Sequence, residues 1–254
     1  MSTASDRGLS AAVPDRATAR AVLAALGLAV GGLVAGIAGV FTFSTIREAV
    51  GIAGTPVGDA FGSGIQLGFG ALALVFLAVA DDPRRYVGIR WPTLEDVGWT
   101  LATPVAITLV GWTFLAIQSA LGVETGSHAG SEGILDVGVV FAEQPIVWVL
   151  VLGWLFLVAA PMEELLYRGI VQGRVRPHLG TAGTVLVAAA AFGLMHALPV
   201  VFGGVAEASL AFLRTAIGGV VWGYAYERTR NLAVTAVAHA SVWVVNYEVV
   251  LSLV

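Results

Sequence analysis

Several stretches of 18 or more residues run with few or no charges, and this constrains the chain more than any other feature. In bilayer hydrocarbon each backbone N–H and C=O must be satisfied within its own segment, so such stretches cross as helices. Composition agrees: 57% of residues are hydrophobic, 12% are charged and mean hydropathy is +0.87. A soluble domain carries roughly twice that charged fraction. The fold class expected is all-α, a polytopic transmembrane helical bundle of about seven spans. The spans fall near residues 19–44, 61–80, 99–121, 145–174, 181–198, 209–226 and 232–254. The 32 glycines suit close helix packing through small residues.

Arginine placement orients these spans. With a cytoplasmic N-terminus, the inner segments hold Arg7, Arg16, Arg20, Arg84, Arg85, Arg90, Arg174, Arg176, Arg228 and Arg230, and the outer ones only Arg47. That asymmetry obeys the positive-inside rule. Residues 1–18 read as a disordered cytoplasmic tail and 19–254 as a single transmembrane domain. No cleavable signal is evident, so the first span is expected to serve as its own targeting signal. The localisation expected is a multi-pass protein of the cell (plasma) membrane. Net charge is −4, so no basic surface argues for nucleic acid. Without cysteine there are no disulfides, thiolate metal sites or thiol nucleophiles. The partners expected are membrane lipids and a peptide or protein in or near the bilayer. Trp91, Tyr86, Trp99, Trp148 and Tyr226 read as aromatic anchors at the membrane interface.

Few ionisable groups sit inside the spans, and by default each marks a functional site with a partner. The densest group is PMEELLYRGIVQGR, residues 161–174. Glu164 and Arg168 stand at i,i+4 with the acid first, the favourable order for a pair. Glu163 points elsewhere, has no cationic partner in its own helix and is the candidate general base. The competing interpretation ends the span at Ala160 and lets Pro161 open a charged interfacial helix. His196, one turn after Phe192, and His239 lie on two further spans. At about 1.5 Å per residue, Glu163, His196 and His239 fall within about 10 Å of one another in depth. Two imidazoles and a carboxylate can activate water by general-base help or as a 2-His-1-carboxylate metal site. Asn246, seven residues after His239, shares its helical face and offers an amide donor. His128 and His178 read as loop histidines, and Arg214 as structural.

EELLYRG (residues 163–169), then FGLMH (192–196), then a histidine in the last span resembles the CPBP family of intramembrane endopeptidases. That family includes the CAAX prenyl proteases and the bacteriocin-processing and self-immunity (Abi) proteins. Its pattern is EExxxR, FxxxH and HxxxN or HxxxD on successive membrane helices. The resemblance covers a protease-like core at about 145–254, and RRYVGIRWP resembles a common feature ahead of it. It implies that Glu163 activates water with His196 positioning it, that Glu164 and Arg168 shape the site, and that His239 stabilises the oxyanion. The family's Asn or Asp four residues after that histidine is here Trp243; Asn246 is the substitute, about 4.5 Å further along. The family has been described both as metalloproteases and as metal-free glutamate proteases. The metal-free form is favoured and no cofactor is expected; the alternative is zinc held by Glu163, His196 and His239.

The function expected is therefore a CAAX-protease-like intramembrane endopeptidase acting on a membrane-associated or prenylated-type protein. The alternative, which Trp243 favours, is a catalytically inert member serving as a membrane scaffold or bacteriocin-immunity factor. A third reading, a proton-coupled carrier, is opposed by motif order and by the absence of a repeated half.

Overall fold

A computed structural model describes residues 15–122 and 145–244; His128 and Asn246 lie outside the described residues. The described chain is helical. Long helices are α1 (Arg16–Ala49), α4 (Leu94–Ala120), α5 (Pro145–Val175), α6 (Thr181–Ala197, prolonged by a 3-10 segment to Gly203) and α7 (Val205–Thr229). Shorter ones are α2 (Pro56–Asp59), α3 (Ile65–Val79) and α8 (Leu232–Val244). Five of these are long and apolar enough to cross a membrane, and α3 and the Leu232–Trp243 part of α8 are shorter apolar helices. The seven expected spans thus correspond to seven apolar helices in an all-α bundle, residues 245–254 of the last span lying outside the described residues, and the protein is an integral membrane protein.

Small residues set how closely the helices approach. Ala21, Ala25, Ala29, Gly32 and Gly36 form one buried stripe along α1. A Cβ on Gly32 would stand 2.9 Å from Leu166 of α5, and one on Gly36 would stand 2.7 and 2.8 Å from Ile65 and Phe69 of α3. A methyl at Gly68 would overlap the Ala35 carbonyl oxygen, so the α1 and α3 backbones touch. Helix α6 meets α7 the same way: a Cβ at Gly193 would lie 2.8 Å from the Phe212 carbonyl oxygen. Between lipid-solvated helices such close packing replaces the hydrophobic drive available in water. Gly64, with φ at +79°, turns the chain into α3 against the Phe43 ring. We expect Gly68→Ala to lower stability by roughly 1–3 kcal/mol through overpacking. Gly98→Ala, with no atom within 4 Å of its Cβ, is the control. Thermal unfolding of the solubilised protein reads both.

Helix α5 is not uniform. Wide π-helical segments, Leu155–Ala159 and Leu165–Gln172, flank a single α-helical stretch, Ala160–Glu164. Pro161 lies inside this continuous helix and does not begin one, contrary to the interfacial alternative. It has no N–H to donate and would crowd the preceding turn, and the π segment before it widens that turn.

Tyr86 and Tyr226, expected at the lipid interface, are instead buried, at 3% and 4% exposure. The Tyr86 ring stands edge-on to Phe76 at 5.0 Å. It occupies a groove made by two glycines one turn apart on α5: a Cβ at Gly169 would lie 2.5 Å from the Tyr86 carbonyl oxygen, and one at Gly173 would lie 3.0 Å from its ring. Gly88 accepts from the Leu232 N–H (2.7 Å). The Arg90 guanidinium bonds Asp96 and the Thr229 carbonyl (both 2.9 Å), and the Asn231 amide donates to the Arg90 carbonyl (3.0 Å). The segment ahead of α4 is thereby fastened to the α7–α8 turn.

Candidate active site

The α-helical stretch between the two π segments carries Glu163 and Glu164, which are 4% and 0% exposed. Arg168, 1% exposed, follows one turn on. Glu164 Oε2 lies 3.4 Å from Arg168 Nε, the i,i+4 pair read from the sequence. Glu164 Oε1 accepts from His239 Nδ1 of α8 at 2.8 Å. Glu164 therefore has two partners, an arginine in its own helix and a histidine from another.

The Arg168 guanidinium also lies over the Phe192 ring (4.6 Å) and the Trp222 ring (5.7 Å). Two aromatic faces thus flank the buried cation, a favourable cation–π arrangement. Phe192, 1% exposed, is the hub of this layer. Its ring centroid is 5.1 Å from Tyr167, 4.5 Å from His196, 6.0 Å from Trp222 and 6.2 Å from His239.

Glu163 is held from other helices. Its Oε1 accepts from Gln66 Nε2 of α3 at 3.1 Å. Its Oε2 has no hydrogen-bond partner among the described residues and faces His239 Nε2 at 3.8 Å. Two carboxylates and one guanidinium leave one uncompensated negative charge. One proton on Glu163 or on His239 Nε2 balances it, and burial of an unbalanced charge is expensive. Because an ionised Glu164 can only accept, His239 Nδ1 carries its hydrogen, and Nε2 is the ring nitrogen that faces Glu163.

His196 joins this layer through Phe192. Its Nδ1 donates to the Phe192 carbonyl at 2.9 Å, and its ring packs on Phe192. With that hydrogen fixed, Nε2 presents a lone pair. Among the described residues no three His, Cys, Asp or Glu side chains are placed to hold a metal ion. Glu163 and His239 approach each other, and the hydrogen bond of His196 goes to the Phe192 carbonyl.

Trp243 packs on His239 with ring centroids 4.5 Å apart. His239 also packs on Trp222, with ring centroids 4.5 Å apart. Gln66, Trp222 and Tyr167 are neighbours that the sequence reading passed over. Gln66 left a signal: it is the one polar side chain in the apolar stretch IQLGFGALALVFLAV, and polar groups at membrane depth mark sites.

No curated protein and no solved structure matches the chain. The family model described as type II CAAX prenyl endopeptidase Rce1-like matches residues 144–245. That range contains Glu163, Glu164, Arg168, His196 and His239, while Gln66 falls outside it. By this match, residues 144–245 of this membrane protein are similar to the type II CAAX prenyl endopeptidases of the Rce1-like family.

Proposed function

We propose that the protein is an intramembrane endopeptidase of the cell membrane that hydrolyses a peptide bond of a membrane-associated or prenylated-type protein with water activated by Glu163. The observation that carries this reading is the Glu163 carboxylate, anchored at Oε1 by Gln66 and with Oε2 directed to His239 Nε2 at 3.8 Å. An anchored carboxylate with one oxygen free of hydrogen bonds among the described residues suits general-base catalysis.

In the proposed reaction Glu163 Oε2 takes a proton from water as its oxygen attacks the scissile carbonyl. The same oxygen returns that proton to the leaving amine. His239, protonated at Nε2, donates to the developing oxyanion, and Glu164 steadies the resulting imidazolium through Nδ1. His196 Nε2 accepts from the attacking water and fixes its approach. Arg168 offsets the charge of Glu164 and keeps the pair desolvated between Phe192 and Trp222. The proposed steps require no metal ion.

Gln66 acts through Glu163 as a positioning residue. Gln66→Leu removes a hydrogen bond to a charged group, worth about 1.5–3 kcal/mol. If the positioning that bond supplies is realised in the transition state and not in the bound ground state, kcat falls about ten- to a hundredfold with KM little changed. Steady-state kinetics on a membrane-tethered peptide reads this, and an unchanged kcat would remove Gln66 from the site.

The inert-scaffold reading is favoured by one observation: Trp243, stacked on His239, stands four residues after it, where the resemblance places an amide or carboxylate. Under that reading Glu163→Gln retains the full biological effect.

A further inference from the structure

Three arginine-bearing segments meet at one end of the bundle around a cavity of about 490 Å³. Arg85 comes from the segment before α4, Arg176 from just past α5, and Arg230 from the end of α7; all three line the cavity. Glu227 is the one carboxylate among the lining residues. It is already engaged by Gln172 Nε2 (2.8 Å), Arg176 Nε (3.2 Å) and Arg230. Arg85 lies over the Tyr86 ring at 4.8 Å and has no acidic partner among the described residues. Arg230 takes the left-handed conformation (φ 51°) where α7 stops. Such a conformation is uncommon for a residue with a side chain. Its Nε is buried without a hydrogen-bond partner among the described residues. Three guanidinium groups against one carboxylate leave two positive charges facing the cavity. Pro177, Leu179 and Tyr226 complete the wall with apolar surface.

We propose that this cavity binds the phosphate of an anionic phospholipid headgroup. Guanidinium groups present paired donors that match phosphate oxygens. The apolar wall suits the glycerol and first acyl carbons, which a free phosphate lacks. The basic end of a helical bundle is also where anionic lipids of the cytoplasmic leaflet are met. Val175, beside the cavity, lies roughly 18 Å from Glu163 along α5 at the helical rise. The site is therefore separate from the carboxylates and does not depend on any catalytic reading.

The test uses the full chain, purified and delipidated in neutral detergent, with binding followed by native mass spectrometry. The probes are short-chain phosphatidylglycerol, phosphatidylcholine of equal chain length, and inorganic phosphate. Arg85→Gln breaks no ion pair among the described residues and so leaves the fold intact; Arg85→Gln/Arg230→Gln removes both surplus charges. Arg84→Gln/Arg174→Gln removes equal charge from exposed residues at the same end, outside the cavity. The expected result is saturable phosphatidylglycerol binding that weakens about tenfold or more in the cavity double variant. The single variant gives a smaller loss, and the Arg84/Arg174 control binds as wild type. Equal weakening in the control would overturn the proposal, as would phosphatidylcholine binding as tightly. Inorganic phosphate competing as well as the lipid would overturn the headgroup assignment in favour of a free-phosphate site.

Discussion

Glu163→Gln is expected to lower kcat for cleavage of a membrane-tethered peptide about 10²–10⁴-fold, the range supplied by a positioned general base. Glutamine matches the shape of the carboxylate and can still accept from Gln66, so helix packing has no reason to change. KM is expected to stay close to wild type, because the lost interaction belongs to the transition state. Circular dichroism and size-exclusion behaviour should match wild type. A variant that cleaves at the wild-type rate would place the base elsewhere. Loss of both activity and fold would make Glu163 a structural residue.

The largest stability effect is expected at Arg168. Among the described residues its guanidinium is the one cation in contact with the buried Glu164 carboxylate apart from His239, and it is 1% exposed. Arg168→Met keeps apolar contact with Phe192 and Trp222 but strands two carboxylates beside one histidine. Removing one partner of a buried pair costs about 3–5 kcal/mol, a large share of the roughly 5–15 kcal/mol that holds a domain folded. The midpoint of thermal unfolding should fall on the order of 10 °C for a chain of this size. Adding Glu164→Gln to Arg168→Met should restore part of the loss, because it removes the stranded charge. Unaltered stability in the single variant would show that the pair carries no structural weight.

Much of this arrangement could be read from the chain because membrane-spanning helices declare themselves by length and apolarity. The seven apolar stretches became seven helices for that reason. The Glu164–Arg168 pair followed from i,i+4 spacing alone. Helix pitch was less accessible: π and α turns draw on the same apolar residues, so a helix start at Pro161 stayed open as the competing interpretation beside the continuous helix that the structure has. Tyr86 was misplaced for a related reason. A tyrosine among arginines resembles an interface anchor, and its burial depends on Gly169 and Gly173 opening a groove on a distant helix. Gln66 reaches Glu163 across 97 positions, a pairing that no local periodicity encodes. The depth estimate grouped His196 with Glu163 and His239, but depth gives no direction around a helix axis. The His196 side chain turns to the Phe192 carbonyl.

The most direct test of the central claim is cleavage by the purified protein in liposomes, using prenylated and unprenylated membrane-tethered peptides in ¹⁸O-labelled water. Wild type and Glu163→Gln would be compared with and without chelator, beside an active relative as positive control. The account predicts a wild-type product whose new C-terminus carries one ¹⁸O, formed equally with chelator and absent from Glu163→Gln. Equal cleavage by Glu163→Gln would contradict the assigned base, and chelator-sensitive cleavage would assign water activation to a metal. A wild-type protein that cuts nothing while the relative cuts the same peptides would contradict the endopeptidase reading and leave the inert scaffold in its place.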